Sequence, residues 1–119
     1  MVEISQHFEE RPMYVIRRVY EVKPGTARRV ATLVKQQGDA YSSAGQRSEV
    51  RVYFNGGTLP GDNNRVYMEW TDETIDSPYR EGASAPEEAR EFGAEIRESV
   101  VSQHIEFFEM MIPAKMQDE

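Results

Sequence analysis

A strand that runs straight into a helix start, echoed later in the chain, constrains this sequence more than any other feature. Tyr14-Val15-Ile16-Arg17-Arg18-Val19-Tyr20-Glu21-Val22 is rich in β-branched and aromatic residues and meets Lys23-Pro24-Gly25-Thr26, which stops a strand. Ala27, Val30, Ala31, Val34 and Tyr41 then fall at offsets 0, 3, 4, 7 and 14, the stripe of an amphipathic helix. Gly38 weakens the last part of that helix and Ser42-Ser43-Ala44-Gly45 ends it. Ser48 to Asn55 reads as a second strand, Asn55 to Asn64 as a long hairpin connection, and Arg65-Val66-Tyr67-Met68-Glu69-Trp70 as a third strand. Ser77-Pro78 breaks a short helical turn within 72–82. Ser84-Ala85-Pro86-Glu87 is then a capping box with proline in the first turn. Ala89, Phe92, Gly93, Ile96 and Val100 form a second helical stripe, and His104 to Ile112 reads as the fourth strand.

The order β-α-β-β-α-β predicts an α+β, ferredoxin-like domain: a four-stranded antiparallel sheet with two helices on one face. Residues 13–112 make up this single domain, with 1–12 as a loose arm and 113–119 as a frayed tail. Alternation puts Tyr14, Ile16, Arg18, Tyr20 and Val22 on one face of the first strand, and Met13, Val15, Arg17, Val19 and Glu21 on the other. Helices can cover only one of these faces. The apolar residues on the second, Val15, Val19 and Tyr53 among them, need a partner surface. A second copy related by a two-fold axis supplies it, so the expected assembly is a homodimer joined through its sheet faces.

Several function classes fall away on composition. A formal charge of −7 lacks the concentrated basic face that nucleic-acid binding needs. With no cysteine, thiolate metal sites, disulfides and cysteine nucleophiles are out of reach. No apolar run approaches membrane-spanning length and no charged start precedes an apolar segment, so the expectation is a cytoplasmic protein without a membrane partner. Gly56-Gly57-Thr58-Leu59-Pro60-Gly61 lacks the Lys-Ser/Thr ending of a phosphate loop and joins two strands.

The strand ending Val22-Lys23-Pro24-Gly25 before an amphipathic helix resembles the opening of proteins in the dimeric α+β barrel superfamily. Met68-Glu69-Trp70-Thr71-Asp72-Glu73 is similar to the strand-end tryptophan motif of its antibiotic-biosynthesis-monooxygenase-like branch; the NIPSNAP branch shares a similar Pro-Gly opening. The resemblance spans about 13–112 and rests on element order and these two short motifs. It implies homodimers whose sheets face each other, with a pocket in each subunit between sheet and helices. Some members oxidise aromatic substrates with O₂ and no cofactor, others degrade haem, and many have no established activity. The haem-degrading pattern, an Asn on the first strand and a His soon after the Trp, is absent here, and Val66 stands where the quinone-forming branch has an Asn. Only Trp70 carries over.

The resemblance implies a site for a flat aromatic or apolar small molecule, with no cofactor and no metal. Trp70 can stack on such a ligand, though a lone strand tryptophan also serves as core. Arg18 interrupts an otherwise apolar face, and a guanidinium beneath helices must pair or bind an anion. The plain alternative for Arg18 is a salt bridge to Glu106 on the neighbouring strand. Cofactor-free oxygenation would need the substrate held as a phenolate or enolate. Arg18 with Tyr14, Tyr20 or Tyr67 could do that, and His104 could take the proton. His104 and Glu106 share a strand face but lack a further metal ligand. The rival reading is a non-catalytic dimer of the same fold that binds a ligand or serves as structure.

Overall fold

The computed structural model describes residues 11–75 and 87–118. Strand β1 (Tyr14–Val22) leads to helix α1 (Ala27–Ser43), strands β2 (Arg51–Asn55) and β3 (Arg65–Asp72), helix α2 (Glu87–Ser99) and strand β4 (Val100–Glu109). The strands form one antiparallel sheet in the order β2-β3-β1-β4. This is the ferredoxin-like arrangement that the element order predicts. The turn expected around Ser77-Pro78, the cap at Ser84-Ala85-Pro86 and most of the N-terminal arm lie outside the described residues.

Register settles which side chains share a face. Arg18 stands opposite Met68 on β3 and Ile105 on β4, whereas Val19 stands opposite Tyr67 and His104. Residues directly opposite in a ladder point the same way. The helix side therefore carries Ile16, Arg18, Tyr20, Val66, Met68 and Trp70, and the open side carries Arg17, Val19, Tyr67, Glu69, His104 and Glu106. Ile16, Tyr20, Val66, Met68 and Trp70 join Val30, Ala31 and Val34 of α1 in one buried core. Helix α1 lies over β2 and β3. Helix α2 packs mainly against α1 and only lightly on β4. Among the described residues the helix side is thus thickly covered over β3 and thinly over β4, where Phe107 is 41% exposed.

Two strand starts differ from the sequence reading. Strand β2 begins at Arg51, not Ser48. The Ser48 hydroxyl donates to the Thr71 carbonyl (2.8 Å) and accepts from the Thr71 amide (3.2 Å), so a side chain takes the place of a ladder pair. Strand β4 begins at Val100, which pairs with Val22 beyond a bulge, although the helical stripe had claimed Val100. Val100 and Val101 are β-branched, and the Lys23 amide donates to the Ser99 carbonyl (2.9 Å), which draws the chain onto the sheet at once. Past β4 the chain carries one 3₁₀ turn, Pro113–Lys115, with Lys115 ion-paired to Glu109.

Candidate ligand-binding site

Arg18 sits half-buried on the helix side of β1, where alternation places it. A cleft of about 300 Å³ opens beside it, lined by Arg18, Gln103, His104 and Ile105. The Arg18 Nε is buried and has no hydrogen-bond partner. Burial of this kind is costly for a charged donor unless an acceptor arrives. The Glu106 carboxylate, the sequence-level candidate for that role, is on the other face and bonds Arg17 instead. Tyr20 lies beside Arg18 and is almost fully buried; burial pushes its hydroxyl pKa up, and the neighbouring guanidinium pulls it back. Trp70 is buried in the core, and Tyr14 packs partly buried against that core.

The residue that sequence reading missed is Arg47. Helix α1 ends in a paired C-terminal cap: the Gly45 amide donates to the Ser42 carbonyl (3.0 Å) and the Gln46 amide to the Tyr41 carbonyl (3.0 Å). Gly45 has φ +75°, the left-handed conformation this cap requires. The reversal turns the chain back along the helix and lays the Arg47 guanidinium over Tyr41, 3.7 Å from the ring centroid, and over Trp70 at 4.1 Å. Its Nη1 reaches the Met68 sulfur at 4.0 Å. Burial, and then the nearby charge of Arg18, push the Arg47 pKa down to about 10, so it stays charged at neutral pH. Among the described residues no carboxylate pairs with Arg18 or Arg47. The only sequence signal for Arg47 was the glycine two residues before it.

The remaining two candidates, Tyr67 and His104, belong to the open face. Tyr67 stacks on Tyr53 with centroids 5.1 Å apart, and the Tyr53 hydroxyl donates to Glu69 (2.8 Å). The His104 imidazole meets Glu106 Oε2 at 3.2 Å, while Arg17 donates to Glu106 Oε1 from Nε (2.8 Å) and Nη2 (2.6 Å). Arg17 also lies over the Tyr67 ring at 5.4 Å and the Phe108 ring at 5.2 Å. His104 borders the helix-side cleft through its stretch of edge strand, but its ring is committed to the other side. Arg18 and the proton acceptor proposed for it are therefore separated by the sheet. Of the sequence candidates, Arg18 and His104 border this cleft; Tyr20 and Trp70 lie in the core on the helix side with Tyr14 packed against it, and Tyr67 is on the open face.

The bonds from Arg17 hold the Glu106 carboxyl below its ordinary value of 4.5. A depressed carboxyl stabilises the fold fully above its unfolded pKa, and that contribution is lost as pH falls through the folded value. The urea midpoint should accordingly fall below about pH 4.5, and it should fall less steeply in Glu106→Gln. Equal acid slopes in the two proteins would show that Glu106 is not the group responsible.

No family model and no curated protein matches this chain. Solved structures do. The chain is similar to a NIPSNAP family protein of unknown function from Agrobacterium tumefaciens, with 17% identity and TM-score 0.68, over 91% of this chain and 96% of that one. It is also similar to a dimeric protein of unknown function and ferredoxin-like fold from Bacteroides fragilis, with 13% identity and TM-score 0.60, over 82% and 96% of the two chains. A third likeness, with 16% identity and TM-score 0.56 over 89% and 97%, is to a protein from Chloroflexus aurantiacus provisionally named an antibiotic biosynthesis monooxygenase. At these identities what is shared is the fold. It is the fold that the Pro-Gly junction and the strand-end tryptophan suggest.

Proposed function

We propose that this chain is a small-molecule-binding homodimer that takes a flat, mainly apolar ligand into the helix-side cleft at Arg18 and closes its open sheet face against a second copy. The carrying observation is the buried, unpartnered Arg18 Nε beside a cleft of about 300 Å³. That volume is at the lower end of the range for small-molecule sites, about 300–1,000 Å³. Among the described residues α2 packs only lightly on β4, and Ile105 and Gln103 supply an apolar and a polar wall of the cleft. The open face supports the second half of the proposal. Tyr53 and Phe108 are 39% and 44% exposed there, among pairs of opposite charge that a two-fold copy could meet. The Bacteroides protein of like fold is described as dimeric.

An oxygenase-like activity would use Arg18 to hold a phenolate or enolate, the electron-rich form that reacts with O₂. It would need a proton acceptor other than His104, since that ring faces away. Binding and orientation are what the assembled groups support best.

A fragment screen of flat aromatic compounds, read by ligand-observed NMR against wild type and Arg18→Met, tests the binding half. Compounds that bind wild type should lose about tenfold or more in affinity in the variant, the cost of removing one charge-assisted hydrogen bond. Unchanged affinities would place the ligand elsewhere. Sedimentation tests the assembly separately: a monomer at micromolar concentration contradicts it.

A further inference from the structure

The arginines of the sheet are treated differently on its two faces. On the open face Arg17 pairs with Glu106 (2.6 Å), Arg65 with Glu21 (3.7 Å) and Arg51 with Glu69. Arg18 is the strand arginine of the helix side, and among the described residues no carboxylate pairs with it. The chain is not short of acids, since it carries 21 Asp and Glu against 14 Lys and Arg. The strand carboxylates of the helix side, Asp72 and Glu109, both stand opposite Tyr14, which is about 13 Å along β1 from Arg18. Glu109 is paired with Lys115, and Asp72 accepts from the Thr74 amide (3.3 Å). What lines the cleft beside Arg18 is Ile105, Gln103 and His104, and the imidazole of His104 is bonded to Glu106 on the other face. A buried guanidinium Nε without a partner thus borders a cleft whose helix-side walls are one apolar and one amide side chain. What such a donor lacks is an anionic acceptor, and the described chain does not bring one.

We infer that the cleft at Arg18 takes small carboxylic acids in their ionised form, with the carboxylate held between Arg18 and the Gln103 amide and the organic part against Ile105. This rests on the binding reading above and names the ligand class it leaves open. Ile105 stands directly opposite Arg18 in the β1–β4 ladder, and Gln103 stands opposite Tyr20, so Gln103 is the diagonal neighbour of Arg18 on the same face. Diagonal positions are about 7–8 Å apart, a gap that two long side chains can close on one carboxylate. The guanidinium fork matches the two oxygens of that group, and the amide adds a neutral donor without cancelling the charge. The cleft of about 300 Å³ limits the acid to a single ring or a short chain. A net charge of −7 works against casual anion binding, so a preference for an acid must arise at a local site.

The probes are benzoate and benzamide, alike in shape and different in charge, titrated by ligand-observed NMR at neutral pH. Wild type should bind benzoate at least tenfold more tightly than benzamide, the gain of a charge-assisted bond. Gln103→Glu sets a carboxylate of the chain's own at the diagonal position, where it competes for Arg18. Its affinity for benzoate should fall tenfold or more, and the ratio should come close to one. Gln103→Leu removes only the amide and should keep a preference for the acid. Gln36→Glu adds the same charge to α1 and should leave the ratio as in wild type. Gln103 and Gln36 are both exposed, so these changes leave the core alone. Equal binding of the two probes by wild type overturns the acid requirement while leaving the small-molecule reading intact. A ratio unmoved in Gln103→Glu overturns the placement of the acid in this cleft. A ratio lost as fully in Gln103→Leu as in Gln103→Glu overturns the part given to Arg18. Binding of neither probe at tens of millimolar overturns both the inference and the reading beneath it.

Discussion

Arg17→Ala should weaken self-association by about 30-fold or more, which corresponds to roughly 2 kcal/mol. The size of the effect is what makes it informative. In a lone subunit the Arg17–Glu106 pair is a third exposed on each side, and an ion pair of that kind contributes about 1 kcal/mol at most. Covered by a second sheet, the same pair is desolvated, and removing Arg17 leaves a buried carboxylate with the His104 imidazole as its remaining partner, at a cost of about 2 kcal/mol or more. Arg17 also lies over Tyr67 and Phe108, so its loss opens an apolar gap at the middle of the face. Sedimentation equilibrium of wild type and Arg17→Ala reads the difference directly. A dissociation constant that moves less than threefold would mean that this face stays wet, and the partner would have to sit elsewhere.

Gly38→Val should destabilise the fold by about 3 kcal/mol or more, enough to be plain in a urea melt. Gly38 lies inside α1, where glycine ordinarily costs about 1 kcal/mol against alanine. Here it is the point at which the helix comes down on the sheet. A Cβ built on it would stand 2.5 Å from Val50 Cγ2 and 3.1 Å from the Met68 sulfur. Val50 and Met68 are both fully buried, so neither can move aside cheaply. Gly38→Ala should cost less, a net loss of up to about 2 kcal/mol once its helix propensity is credited. Pairing it with Val50→Ala should reveal a favourable coupling in a double-mutant cycle. A Gly38→Ala protein more stable than wild type would show that the contact is slack.

These two positions also show where reading the sequence succeeds and where it stops. Strand alternation has a period of two residues and is dictated by the chain's own geometry, so the division of Arg18 from Arg17 across the sheet was legible from Tyr14–Val22 alone. The same rule already put Tyr67 opposite in sense to Trp70. What it lacked was the side of β4 relative to β1: His104 turned out to share a face with Val19, and so to be cut off from Arg18. Gly38 was legible as a weak point in a helix. Its role as a contact between helix and sheet was not, because Val50, just ahead of β2, and Met68 on β3 arrive from later in the chain.

The amino-acid order by itself determined the element sequence, the ferredoxin-like class, the apolar helix stripes and the two-sided character of β1, since each depends on neighbours a few residues away. Tertiary structure alone decided that Glu106 pairs with Arg17, a partner 89 residues distant, and that Arg47 comes to rest over Trp70. Contacts of that kind depend on strand register and on one left-handed turn at Gly45, and a shift of a single residue would have exchanged the faces. Local periodicity carries no information about such long-range pairings; only the folded sheet brings the charges and rings into reach of each other.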